Sequence, residues 1–249
     1  MIRKFMLVAL GALLSLLGAQ ANQGQTGEER SRIRTELAAE YYRRGQYPIA
    51  IDEAKKALAA DPKNVGAHLM IALSFAELRD DGMAVNSFQQ ALGIAPADPD
   101  VNHNYGWFLC SRSDYAAGLK RLEQVFPQTT YPRIDNTYVV AADCASKAGD
   151  PNAAIAYLRM ALQYRPANVA ARFRLATQLL QAGQIQEARN AYLGLTRLVE
   201  PAPADLLWLG VRIERKAGNR AEEKKLSSQL LAQFPDSKEA GQLKAANYD

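Results

Sequence analysis

From Ala84 to Pro96 the chain reads AVNSFQQALGIAP: an alanine, an aromatic four residues on, a second alanine three further, and a proline five beyond that. The same spacing occurs at Ala50, Ala54, Ala57 and Pro62 upstream, and at Ala154, Leu158, Ala161 and Pro166 downstream. Residues three and four apart share one face of a helix, so these small side chains mark a face against which a second helix lies close. Proline then ends the helix, because it lacks an N–H and its ring clashes with the preceding turn. A Gly or turn-like break stands about five residues before each stretch, so every unit is a helix, a turn and a second helix. A length of 249 residues would suggest one or two ordinary domains. Recurrence at about 34 residues instead favours a serial array.

Laid down with position 1 at Ser31, Val65, Pro99, Asp135, Val169 and Ala204, the chain resembles six tetratricopeptide repeats. Position 8, where the two helices of a repeat cross, is Ala38, Ala72, Gly106, Ala142, Ala176 and Val211. Position 20 is Ala50, Ala84, Gly118, Ala154, Ala188 and Glu223, and Pro62, Pro96, Pro166 and Pro235 close four of the repeats. The sixth is degenerate, as terminal repeats often are. Two extra residues fall between repeats three and four, around Pro127 to Pro132, and predict a lengthened loop that widens the turn. The expected fold is all-α: a tetratricopeptide-repeat superhelix of six helix-turn-helix repeats forming a single array over residues 31–249.

The N-terminus reads differently. Arg3 and Lys4 precede an apolar run from Phe5 to Leu17, and Gly18, Ala19, Gln20 and Ala21 give the small-residue spacing for cleavage after Ala21. Residues 1–21 therefore read as a secretory signal peptide, too short for a permanent membrane anchor. Leu17, Gly18 and Ala19 would open a bacterial lipobox, but Gln20 stands where lipidation needs a cysteine. Residues 22–30 are polar and glycine-containing, and are expected to form a flexible leader.

Charge narrows the partners. The formal net charge is +4, and loss of Arg3 and Lys4 with the signal leaves +2. No basic run of the kind that tracks phosphates is present, which argues against nucleic acid. No GxSxG, HExxH or phosphate-cradling glycine loop occurs, so neither an enzymatic activity nor a cofactor is expected.

Several segments go beyond the generic repeat. Asn102-His103-Asn104-Tyr105-Gly106-Trp107-Phe108-Leu109-Cys110, then Ala141 to Asp150 with Cys144, and the tail from Trp208 to Arg215 with Phe234-Pro235-Asp236-Ser237, resemble the type IV pilus biogenesis and stability proteins of the PilW/PilF type. The resemblance spans essentially the whole exported chain. It implies a periplasmic, non-enzymatic pilotin that works at the outer membrane and helps secretin subunits reach and assemble there. With Gln20 in place of the modified cysteine, outer-membrane association would run through partners. A generic exported repeat adaptor for another envelope complex shares the repeats but not these segments.

Cys110 and Cys144 are the only thiols, at positions 12 and 10 of adjacent first helices. Such helices pack side by side, so a disulfide is within reach, and export supplies an oxidising compartment. Two buried free thiols are the other reading. Neither CxxC nor a histidine-rich spacing accompanies them, so no metal site is expected. His68 and His103, at positions 4 and 5 of successive first helices, are expected to pack rather than ligate.

Positions 2, 5, 9, 12 and 13 of each first helix should line the inner face of such an array. That register selects Tyr42, Arg43, Leu69, Leu73, Glu77, His103, Trp107, Phe173, Leu180 and Trp208 as a partner-binding groove. The apolar members are taken as free of stacking, hence as anchors for an extended or helical peptide, with Arg43 and Glu77 setting charge preference. A secretin segment is expected to dock there.

Overall fold

The computed structural model describes residues 26–248, so the expected signal peptide, the cleavage expected after Ala21 and Gln20 lie outside the described residues. Among the described residues the chain forms thirteen helices and no strand, grouped into two compact units that meet between Pro96 and Ala97. The all-α tetratricopeptide class read from the spacing is the class observed.

The first unit contains α1 (Gly27–Arg43), α2 (Tyr47–Ala60), α3 (Val65–Glu77) and α4 (Asp81–Ile94). Helix α1 begins at Gly27 with Thr26 as its cap, the Thr26 hydroxyl accepting from the Glu29 amide at 3.1 Å. Residues 27–30 are therefore helical and not part of a flexible leader; Glu28 and Glu29 favour a helix start by meeting its positive end. The second unit contains α5 (Pro99–Ser111), α6 (Tyr115–Glu123), α7 (Ile134–Lys147), α8 (Pro151–Tyr164), α9 (Val169–Gln181), α10 (Ile185–Thr196), α11 (Ala204–Lys216), α12 (Arg220–Gln233) and a short α13 (Lys238–Lys244). Sequence reasoning did not separate α13 from the last repeat, although Ser237, which caps it by accepting from the Ala240 amide, was a readable start signal.

The turn inside each helix pair repeats one device. The backbone is left-handed at Gly45, Arg79, Ser113, Gly149, Gly183 and Gly218, spaced 34, 34, 36, 34 and 35 residues apart. The amide of each following residue donates back to the carbonyl five residues earlier, as in Asp80 to Phe75 at 3.0 Å and Asp150 to Ala145 at 2.9 Å. This is the six-to-one bond that satisfies a helix's last carbonyls. Asp80, Asp114, Asp150 and Asn219 then cap the next helix through their side chains. One tight turn thus closes one helix and opens the next.

Packing follows from the small positions. Ala38, Ala50, Ala72, Ala84, Ala154, Ala176 and Ala188 have no exposed surface. At the α5–α6 crossing both residues are glycine, and a Cβ added at Gly118 would sit 2.9 Å from the Gly106 carbonyl oxygen. Helix α6 is nine residues long, whereas α2, α4, α8 and α12 have fourteen. Its apolar period continues through Val125 and Phe126, but Pro127 disfavours helical backbone at the residue before it. Residues 124–133 are not a simple widened loop. Val125 and Tyr131 fold back into the core, Gln128 donates to the Ala97 carbonyl at 2.7 Å, and Tyr131 reaches Asp100.

Candidate functional site

Each first helix is fixed on one side by its pair and presents its remaining face away from it. In the first unit that face carries the selected residues of α1 and α3. The Tyr42 hydroxyl donates to Glu77 Oε1 at 3.4 Å, and burial, together with the Glu77 charge, pushes its pKa up to about 12. The Tyr47 ring tilts against Tyr42 at 5.6 Å. Arg43 does not join Glu77; it pairs with Glu40 one turn back on its own helix. Leu69 and Leu73 are 7% and 8% exposed, which corrects their reading as free anchors. A helical face assigned from register says where a side chain points, not whether something already covers it.

In the second unit the expectation divides again. Trp107 is 42% exposed and stands free on α5. One turn back His103 is buried, and its Nδ1 lies 2.9 Å from the Thr137 hydroxyl of α7. Burial drops its pKa from 6.5 to about 4; the Arg133 charge acts in the same direction and Asp100 opposes it. His103 is thus a neutral core residue. Asp100 accepts from the Tyr131 hydroxyl at 2.5 Å and from Arg133, and Arg133 Nε donates to the Tyr131 oxygen at 2.9 Å. Burial raises the Asp100 carboxyl, but these donors more than offset it and hold the group below its ordinary value. Nothing in the repeat register pointed to this cluster, because two of its members come from the inserted connector.

Phe173 is half-buried on α9 and borders a cavity of about 390 Å³ with Val169, Leu195, Val199 and Leu206. Leu180 and Trp208 are buried, contrary to their reading as anchors. Trp208 is covered by Tyr248, whose ring stacks on it at 5.6 Å. Tyr248 follows the last repeat, outside any periodicity, so no pattern could have announced that contact.

Cys110 of α5 and Cys144 of α7 form a disulfide, with Sγ–Sγ 1.98 Å and Cα–Cα 5.5 Å. It joins the first helices of two successive pairs, and no free cysteine occurs among the described residues. Those residues hold no group of three His, Cys, Asp or Glu that could bind a metal, and no helix among them is long and apolar enough to cross a membrane. His68 Nε2 lies 3.2 Å from the Pro62 carbonyl and is used locally.

Comparison with known proteins agrees with this architecture. Tetratricopeptide repeat families match residues 35–99 and 145–200. A search of curated proteins finds no match. Among solved structures, PilW, described as a widely conserved type IV pilus biogenesis factor, is 34% identical, covers 86% of this chain and 97% of its own, and superposes with a TM-score of 0.75. PilF from Pseudomonas aeruginosa is 23% identical, with 88% and 99% coverage and a TM-score of 0.76. YrrB, a tetratricopeptide protein with an unusual peptide-binding site, shares the fold at 17% identity, with 77% and 97% coverage and a TM-score of 0.63. Identity with PilW at that level, maintained over nearly the whole length of both chains, makes this protein a member of the PilW family of tetratricopeptide-repeat type IV pilus biogenesis proteins.

Proposed function

We propose that the chain is a pilotin-like, non-catalytic scaffold in the periplasm that binds secretin subunits of the type IV pilus system and assists their arrival and assembly at the outer membrane. The observation that carries this is the 34% identity with PilW across 86% of the chain. A repeat array whose residue choices serve close helix packing leaves part of its first-helix faces, Trp107 among them, for another polypeptide. The signal-like N-terminus and the Cys110–Cys144 bridge both fit an exported protein in an oxidising compartment. With Gln20 in the lipobox, attachment to the outer membrane runs through the secretin.

Deletion of the gene, followed by fractionation and detection of secretin multimers, tests the reading. Multimers should fall in the outer-membrane fraction and return on complementation. Unchanged multimers in the deletion strain would remove the secretin from the proposal. Trp107, exposed and free of the packing, is the first contact to change: Trp107→Asp should weaken secretin capture in a pull-down while leaving the thermal transition unmoved.

A further inference from the structure

The first-helix face of the last repeat holds a cavity of about 610 Å³ between Leu180 and Gln181 of α9 and the basic side chains of α11 and α12. Arg212, Arg215, Lys216 and Arg220 all line it, and among the described residues no carboxylate does. Among the described residues only Arg215 of these four has an ion pair, with Glu223 at 2.8 Å, and its guanidinium is further held 3.8 Å over the Tyr248 ring. Arg212 Nε donates to an uncharged acceptor, the Tyr248 carbonyl, at 2.9 Å. Among the described residues Arg212, Lys216 and Arg220 have no carboxylate partner, although Arg159, Arg165, Arg174 and Arg189 in the same unit each have one. Three cations line a concave space without counter-charge from the described residues.

The face also handles polypeptide already. Residues 247–248 are non-helical, and at Tyr248 a guanidinium takes the backbone carbonyl while the ring is layered between Trp208 and Arg215. We propose that this cavity is a binding site for an extended acidic peptide, its carboxylates held by Arg212, Lys216 and Arg220 and its backbone lying beside the Tyr248 segment. Guanidinium forks suit carboxylates through paired hydrogen bonds, and Leu180 supplies an apolar floor. The inference concerns the chemistry of the bound segment and does not require that it come from a secretin.

The test uses the purified protein and two dye-labelled peptides, one of alternating Glu and Ala and one with every Glu replaced by Gln, read by fluorescence anisotropy. The Glu peptide should bind, and its affinity should fall with added salt, because exposed charges are screened. Combined Lys216→Glu and Arg220→Glu changes should weaken binding by about tenfold or more, as expected for reversal of two exposed partners. Both side chains are exposed, so the melting transition should stay in place. Arg212→Gln, which keeps a donor but loses the charge, should weaken the Glu peptide and leave the Gln peptide unchanged. Equal binding of the two peptides, or undiminished binding by the reversed variant, overturns the proposal. So does sedimentation with phosphatidylglycerol vesicles that depends on the same residues while the Glu peptide fails to bind, which assigns the face to a lipid surface. No pilus component enters the assay, so its failure and that of the secretin reading are separable.

Discussion

Glycine at the α5–α6 crossing is open to a matched test, since replacing glycine by alanine inside a helix ordinarily stabilises it by about 0.8–1 kcal/mol. At Gly93, near the end of α4, an added Cβ meets nothing within 4 Å, and Gly93→Ala should realise that gain. At Gly118 the same methyl would lie 2.4 Å from Cys110 Sγ, 2.9 Å from the Gly106 carbonyl oxygen and 3.0 Å from the Cys110 amide nitrogen. The first atom is fixed in a disulfide and the other two are backbone, so no flexible side chain can swing aside. The helices must separate, and overpacking of this kind costs about 1–3 kcal/mol, so Gly118→Ala should come out about 1–3 kcal/mol less stable than the unhindered gain seen at Gly93→Ala. Urea unfolding of the oxidised variants, followed by far-ultraviolet circular dichroism, gives both values. If Gly118→Ala gains as much as Gly93→Ala, close approach of α5 and α6 is not what glycine serves there.

Opening the Cys110–Cys144 bridge by paired serine substitution should cost about 3–4 kcal/mol on the chain-entropy account of a loop of this length, where the cysteines are 34 residues apart. Two reactive thiols in denatured, unreduced protein would refute the bridge. His103 is held neutral in the fold, with its pKa lowered from 6.5 to about 4, while the unfolded chain protonates near the ordinary value. Its contribution to stability is therefore complete above about pH 6.5, shrinks as the pH falls toward 4, and amounts to about 3 kcal/mol at the limit. Thermal melts across that window should show the loss, and His103→Gln should flatten it; an identical slope in the variant removes His103 as the cause. Arg79 adopts a left-handed backbone at a position where four of the six turns have glycine, so Arg79→Gly should raise stability by about 0.5–1 kcal/mol in the same urea assay, and a loss would mean that its side chain has a role.

The array was legible because close helix contact leaves few choices. Ala38, Ala72, Ala142 and Ala176 are small because another helix lies on them, and their spacing therefore reports the fold directly. The site was less legible because position on a helix does not report cover. Trp107 and Trp208 were chosen by the same rule, yet one is open and the other lies under Tyr248, which arrives from outside the repeats. The cluster of Asp100, Tyr131 and Arg133 escaped for a related reason: an insertion has no register, so its partners are decided only when the connector folds back. The cations of the last repeat were visible as letters, but that they share one cavity is a fact of three dimensions.

The bridge joins α5 to α7, the helices that precede and follow the shortest of the second helices. Tension applied along this part of the protein has a covalent path through sulfur from α5 to α7 that does not run through the backbone of α6. Reduction removes that path and leaves the load to helix packing and to the backbone of α6 and its connector.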